Sequence, residues 1–451
     1  MDGSEAVDLD SADDDTILLE YVDLNGISRG MFIPEDSWDR AVEDGVGFGS
    51  IILDWYESHN SRGITEASNL GPSEGEIQAV ADPDSLVPVP WVDSDIKKAN
   101  CDLLHNGDPT SMCSRSVLGN VLDLYHDMDF TTSVGTELEY NVFTELDAEE
   151  LERGEAYLRE VAATKGSPYA TRPIVDHSAY VTELATTMRK MGGSLEGIHK
   201  ESTLGHYEAI LEHSSALQQA DTIMSFRMAA RGVGRQHDHI PTFMPRPMSE
   251  FEGNSQHYHF SLWRDSQNAF NDPSAERGLS DTGRQFVGGI LEHARGLTAL
   301  CSSTVNSYKR LQPGLWAPID ISYGYDNKTC PVRIPHGRGD ATRVEVRIPD
   351  SYANPYLAMA GILAAGFDGI RREIDPGEPV TSDIFEEGAD PENSLPTSLD
   401  EALTALQADD FLRETLGEEG IAQYVALKRN ESERYRQAIT DWEVREYVDQ
   451  I

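Results

Sequence analysis

Strict alternation marks the stretch 343–348, where Arg343, Glu345 and Arg347 fall on one face and Val344, Val346 and Ile348 on the other. A period of two predicts a half-buried strand with its apolar side inward. Pro349-Asp350 ends it, and the Ala/Leu/Gly-rich run that follows predicts a long buried helix to about Ile370. On a solvated face, a row reading Arg–Glu–Arg forms surface ion pairs of little consequence. In a cleft the carboxylate can hold a divalent cation, and the guanidiniums can hold carboxylate or phosphate bidentately. The strand by itself leaves both open.

Residues 1–15 predict a disordered acidic tail. Apolar-rich runs flank Asn25-Gly26, a strong hairpin signal, and Pro34 to Ser37 opens a short helix closed by Gly45. Strand patterns at 49–55 and 76–81 complete a small mixed unit over 16–107. A large unit, 113–451, begins with a helix over 114–128 and a strand over 134–143. The polar stretch 145–168 predicts an exposed loop, and helices follow at 176–191 and 216–235, with strands between 195 and 213. An alternating strand at 257–263, a helix at 282–304, a Gly/Pro loop at 311–318 and amphipathic helices over 398–451 complete an α+β chain.

Charge narrows the setting. Asp and Glu number 79 against 36 Lys and Arg, a formal net charge of −43 spread along 451 residues. That balance predicts solubility in concentrated salt, where the Debye length falls to about 3 Å at 1 M and self-repulsion is tolerated. No basic cluster marks a nucleic-acid partner. Cys101, Cys113, Cys301 and Cys330 form no CxxC pair, which argues against a zinc ribbon or disulfide framework and suits a reducing cytoplasm. No signal-peptide pattern and no apolar run of about 20 residues predicts export or a membrane span.

Other strands repeat the charged-face pattern. Glu137 and Glu139 share a face in VGTELEY, as do His257, His259 and Ser261 in HYHFSLW, and Glu201 and Glu208 flank Gly205. Paired carboxylates repel unless solvated or bridged by a cation, and glutamates with imidazoles fit Mg²⁺ or Mn²⁺. For any one pair a solvated face is the commoner arrangement. No GxxxxGK[ST] or GxSxG motif is present, and the glycines of 45–50 are no dinucleotide fingerprint.

Together NSYKRLQPG (306–314), RIP (333–335), RVEVR with IPDSYANPYLAMAGILAAGFDGI, TFMPRP and the HxH strand resemble the glutamine synthetase family. YVDLNGISRG, LPTSLDEAL and TDWEVREYV extend the resemblance over nearly the whole chain. It implies a β-grasp N-terminal domain and a catalytic domain whose antiparallel strands form a funnel. Two or three Mg²⁺ or Mn²⁺ ions per site, ATP and L-glutamate are implied, with active sites between subunits of a homo-oligomer, usually a dodecamer of two hexameric rings. Carried over by position, Glu139, Glu201 and Glu208 hold one ion, and Glu137, His257 and Glu345 hold the ion on the nucleotide phosphates. His259, Ser261, Arg333, Lys328 and Glu196 meet ATP. Gly253, Arg310 and Arg347 hold glutamate, and Arg343 faces the phosphoryl group.

Ammonia-using members carry an Asp in an FDGSS stretch and a Glu after the flap PG. Here Phe48-Gly49-Ser50 and Trp316 stand at those places. The usual GQxE reads Gly205-His206-Tyr207-Glu208, and no tyrosine stands in the 393–396 stretch where the family is adenylylated. The flap and SYGYDN also resemble the γ-glutamylputrescine synthetase branch. The implied activity joins glutamate to a polyamine such as putrescine. An ammonium-using glutamine synthetase and a non-catalytic assembly or regulatory relative are the alternatives. Trp316 either faces an alkylammonium, a cation–π contact of about 0.5–2 kcal/mol, or packs under the loop.

Overall fold

The computed structural model of the chain describes residues 16–50, 53, 55–58, 61–64, 76–92, 94–145, 158–160, 167–203, 205–249, 252–387 and 393–450. The acidic tail, most of the 145–168 loop and part of the 49–55 strand pattern lie outside the described residues.

Thr16–Val22 (β1) and Ser28–Pro34 (β2) pair antiparallel around Asn25-Gly26, where Gly26 takes φ +80°. Asp23 closes that turn, its Oδ1 accepting from the Asn25 and Ile27 amides at 2.9 Å each. Trp38–Glu43 (α1) ends before Gly45. Val46–Gly49 (β3), Glu76–Ala81 (β4) and Ile96–His105 (β5) complete a sheet of order β2-β1-β5-β4-β3, with β1 and β5 parallel. Two short strands, Val87–Pro88 and Asp108–Pro109, add to β5.

Ser114–His126 (α2) leads into Thr131–Glu145 (β6), the long central strand of a second sheet. Ser178–Lys190 (α3), Leu195–Lys200 (β7), His206–Ser214 (β8), Ala216–Gln236 (α4) and Gln256–Arg264 (β9) follow. Asp281–Glu292 (α5), Ala294–Cys301 (α6), Tyr323–Tyr325 (β10), Val332–Ile334 (β11), Val344–Val346 (β12) and Pro355–Arg372 (α7) complete the frame. The main path of the sheet is β7-β8-β6-β9-β12-β11-β10. It is antiparallel except for β10 and β11, which run parallel, so the sheet is mixed.

Helix α7 forms where the apolar run predicts it. Asn354 caps it, accepting from the Tyr356 and Leu357 amides, and Pro355 occupies the first turn, which has no use for an amide donor. The Asn354 amide also donates to the Asp23 carbonyl at 3.0 Å, tying the helix to the β1–β2 turn. Arg115 adds a second tie, reaching Asp82 at 2.5 Å, Asp102 at 2.7 Å and Asp221 at 3.1 Å.

Three expectations change. The 282–304 helix breaks at His293, whose ring meets Asp409 at 2.7 Å and Asp368 at 3.2 Å, a tertiary pairing invisible to local periodicity. Within the expected 145–168 loop, Leu158–Glu160 is a strand paired with β6. The 343–348 pattern is regular strand over Val344–Val346 only. All four cysteines are buried and free, and no helix among the described residues is long and apolar enough to cross a membrane.

Candidate active site

Strand register brings the charged faces together. Glu139 pairs with Glu208, and Glu208 with His199, across β6, β8 and β7. One step along, Glu137 pairs with His257. One further step aligns Gly135, His259, Glu345 and Arg333 across β6, β9, β12 and β11. Directly paired antiparallel residues point to one face, so one face of the sheet gathers four glutamates and three histidines. The opposite residues, Leu138, Tyr140, Tyr258, Phe260, Val344 and Val346, are buried in the core.

Distances make three overlapping groups in which all ligand atoms lie within 4.8 Å of one another: Glu137–His259–Glu345, Glu137–Glu208–His257 and His199–Glu201–Glu208. Glu137 meets His259 at 3.1 Å and His257 at 3.3 Å. His199 meets Glu201 at 2.9 Å and Glu208 at 3.6 Å. Glu139 accepts from the Ser255 amide at 2.6 Å and lies 3.4 Å from His206.

Glu345 is 0% exposed, which settles the question left open by its strand: this is no solvated ion-pair row. Its arginine partners are Arg347 at 2.5 Å and Arg333 at 2.6 Å, rather than both strand neighbours. Arg343 turns toward His259, donating to Nδ1 at 3.2 Å and to the Ala341 carbonyl at 3.1 Å. Burial pushes the Glu345 carboxyl up, but the opposing fields of Arg347, His259 and His257 win and hold it down to about 2. Burial likewise opposes ionisation of Glu139, and its contacts with His206 bring it down to about 2. Glu208 goes the other way. Burial, then Glu137, Glu139 and Glu201, push it up to about 10. Burial and Arg347 lower His257, favouring the neutral imidazole, the form able to bind a cation.

This chemistry fits a divalent cation. A buried carboxyl driven to hold a proton by three neighbouring carboxylates is the group that a cation relieves. Oxygen and imidazole donors suit Mg²⁺ or Mn²⁺. Glu137, His257, His259 and Glu345 would hold ions on one side of the face, and Glu139, Glu201 and Glu208 on the other. Each Glu345 oxygen keeps a lone pair beyond its arginine.

Beside the cluster lies a cavity of about 520 Å³ lined by Glu137, Glu196, His259, Ser261 and Arg343, together with Ser133, Gly135 and Trp263. Four residues expected to meet ATP or its phosphoryl group therefore share one cleft. Lys328 does not join them; it is exposed in the turn before β11, with no ion pair among the described residues. Gly253 backs onto Arg310: a Cβ there would meet the Pro245 carbonyl at 2.4 Å and Arg310 Cγ at 2.8 Å. Arg310 is 1% exposed and holds the backbone, donating to Ile348 at 3.0 Å, to Ser255 Oγ at 2.8 Å and to Arg347 at 3.2 Å. Trp316 is 60% exposed at φ +54° and packs edge-on against Phe385 with ring centroids 5.7 Å apart.

Three contributors were not assigned to the site from the sequence. His199 lies two residues before Glu201, a spacing that places both on one strand face. Tyr169, exposed, stacks on His199 at 4.5 Å and 13°, beside Glu201 and Glu208. His206, noted only as a departure from GQxE, is buried against Glu139.

The catalytic-domain model of glutamine synthetase matches residues 111–447. Glutamine synthetase of Halobacterium salinarum is 33% identical over 454 residues, covering 98% of this chain and 96% of its own. That of Thermococcus kodakarensis is 34% identical over 450 residues, covering 96% and 95%. Two solved structures, apo GmaS without ligand and a GmaS/ADP complex in conformation 1, align with TM-scores of 0.84 and 0.85. Each is 31% identical, and each alignment covers 97% of both chains. The chain therefore belongs to the glutamine synthetase family, ATP-dependent ligases that work with divalent metal ions.

Proposed function

We propose that the protein joins the γ-carboxylate of L-glutamate to an amine larger than ammonia, with putrescine or another polyamine as acceptor. One observation carries this reading. The carboxylates, imidazoles and arginines converge on one face, while Gly49 and Trp316 stand where the resemblance places acids in ammonia-using members. Without those acids an ammonium ion has lost its dedicated partners.

In this reading the cleft of Glu196, His259, Ser261 and Arg343 seats ATP, as the likeness to a GmaS/ADP complex supports. The glutamate γ-carboxylate oxygen forms a bond to the γ-phosphorus as the bond to the bridging oxygen breaks, and ADP leaves. Bound divalent ions supply charge neutralisation on the phosphates. Arg343 and Arg333 spread the remaining charge of the transferring group. Arg347 takes substrate carboxylate, and Arg310, packed under Gly253 and bonded to the Ser255 hydroxyl, supports the surface against which glutamate lies. A carboxylate of the cluster takes a proton from the alkylammonium, the freed amine nitrogen attacks the acyl carbon, and phosphate departs with the second nitrogen proton. Tyr169, exposed beside Glu201 and Glu208, offers an alkylammonium an aromatic face next to negative charge. Exposed apolar side chains at Ile439, Trp442, Tyr447 and Val448 support assembly into a homo-oligomer.

The second reading is a glutamine synthetase using ammonium, favoured by the curated relatives, which are glutamine synthetases over 96–98% of this chain. Glutamate-dependent phosphate release from ATP in high salt separates the two. With putrescine, spermidine, ethanolamine and ammonium compared, diamine or polyamine should give the highest kcat/KM. Trp316→Glu should shift the ratio toward ammonium. Turnover with ammonium alone overturns the amine assignment, and an unchanged ratio in the variant removes Trp316 from amine selection.

A further inference from the structure

Behind the catalytic face, on the side of α4, lies a second cavity of about 370 Å³. Arg227, Arg231 and Arg235 line it from one helix face at spacings of four, together with Trp91, Phe243 and Tyr352. In a chain of net charge −43, these three arginines form no ion pair with a carboxylate among the described residues.

Two features show a built site rather than a stray basic patch. Arg227 is buried and has donors to spare. Its Nη2 donates to Gln256 Oε1 at 3.0 Å and to the Ser351 and Ala353 carbonyls at 2.7 and 2.9 Å. Its Nε has no partner, and Nη1 meets only Met224 Sδ at 3.6 Å. A buried guanidinium with unmet donors is costly unless an acceptor arrives. Trp91 is also seated deliberately: its indole lies on the bare backbone of Gly232, where a Cβ would meet Nε1 at 2.4 Å. Any side chain at 232 would lift the aromatic wall off the helix. The Trp91 carbonyl accepts from Gln236 at 2.9 Å, fixing the wall from the other end. Arg227 and Arg231 also stand 5.8 and 5.7 Å from the Phe243 ring.

We propose that this pocket binds a small oxyanion, carrying carboxylate or phosphate groups on a compact body, through the three α4 arginines and the aromatic walls of Trp91, Phe243 and Tyr352. Guanidinium forks match both anions bidentately, and the apolar walls take the remainder of the ligand. The pocket shares no lining residue with the nucleotide cleft but is tied to the strand that carries His257. Arg227 holds Gln256, the neighbour of His257, and Ser351, whose hydroxyl donates to the Ser255 carbonyl at 2.8 Å.

The test is calorimetric titration of the full protein with inorganic phosphate and, separately, tricarballylate at constant ionic strength, with Mg²⁺ and a non-hydrolysable ATP analogue saturating. With the analogue in place of ADP, so that the transferred-phosphate position is filled, R231Q/R235Q should weaken binding of the preferred probe by about tenfold or more, while R343Q, in the nucleotide cleft, leaves it unchanged. Which probe binds tighter assigns the ligand as a phosphate or a carboxylate. Should the double variant unfold, R235Q alone, at an exposed position, carries the same expectation. Equal affinity in the variants overturns the proposal, as does loss in R343Q alone or absence of binding to the wild type. A changed oligomeric state with no anion binding would instead make the pocket a contact between copies, and overturns it too.

Discussion

Glu345→Gln is expected to remove glutamate-dependent turnover by three orders of magnitude or more, about 4 kcal/mol of transition-state stabilisation, and also to lower Tm. On the proposed function, the activity loss follows from losing a carboxylate of the cluster and the anchor of two arginines. The stability loss follows from burial. Glu345 is 0% exposed between Arg333 and Arg347, and a neutral amide leaves two guanidiniums uncompensated, at about 3–5 kcal/mol for a broken buried pair. A change of the strand residue alone, with no core volume lost, would have been expected to leave the fold untouched; the second arginine, from β11, changes that. Glu137→Gln is the informative companion, because its side chain is 29% exposed and pairs with imidazoles rather than arginines. It should abolish turnover with little change in Tm. Kinetics with thermal melts of both variants check this; full activity in Glu137→Gln removes the cluster from the chemistry.

Mg²⁺ binding near neutral pH is expected to release close to one proton per site and to become tighter by about tenfold per pH unit. The source is Glu208, pushed up to about 10 by burial and its carboxylate neighbours, so that the metal-free site holds a proton there. The sign for stability follows. A carboxyl raised above its ordinary 4.5 contributes most below that value, and its contribution is lost as pH rises toward 10. Glu139 and Glu345, held near 2, act oppositely and lose their contribution only as pH falls toward 2. Between pH 6 and 9 the metal-free Tm should therefore fall with rising pH, and Mg²⁺ should reverse that slope. Calorimetry in two buffers of different ionisation enthalpy counts the protons. Zero release, or a metal-free Tm that rises over this range, contradicts the proton on Glu208.

Much of this was legible in the residues. Alternation placed Glu137 and Glu139, His257 and His259, and Arg343 to Arg347 on shared strand faces, because a strand's side-chain period is a local property. Their convergence was not local. It depends on which strands neighbour one another and in what register, and the order β8-β6-β9-β12 is set by packing of the whole chain. The same limit explains the arginines. Arg333 shares Glu345 with Arg347 because β11 lies beside β12, whereas Arg343, adjacent in sequence, turns to His259. Tyr169 could not be placed on His199 from spacing, since its left-handed φ of +61° and a loop carry it there. Trp316 rests on Phe385, a partner nearly seventy positions on, so its part in choosing the amine depends on the amine-panel kinetics.

On the proposed function, glutamate is activated as its γ-phosphate and captured by a diamine. Glutamate carrying ¹⁸O in both γ-carboxylate oxygens, incubated with ATP, Mg²⁺ and putrescine in high salt, tests it most directly. The expected result is one ¹⁸O in the released phosphate for each γ-glutamyl amide formed, with much less product when ammonium replaces putrescine. Phosphate free of ¹⁸O would rule out a γ-glutamyl phosphate, and labelled phosphate with ammonium alone would rule out the diamine as acceptor.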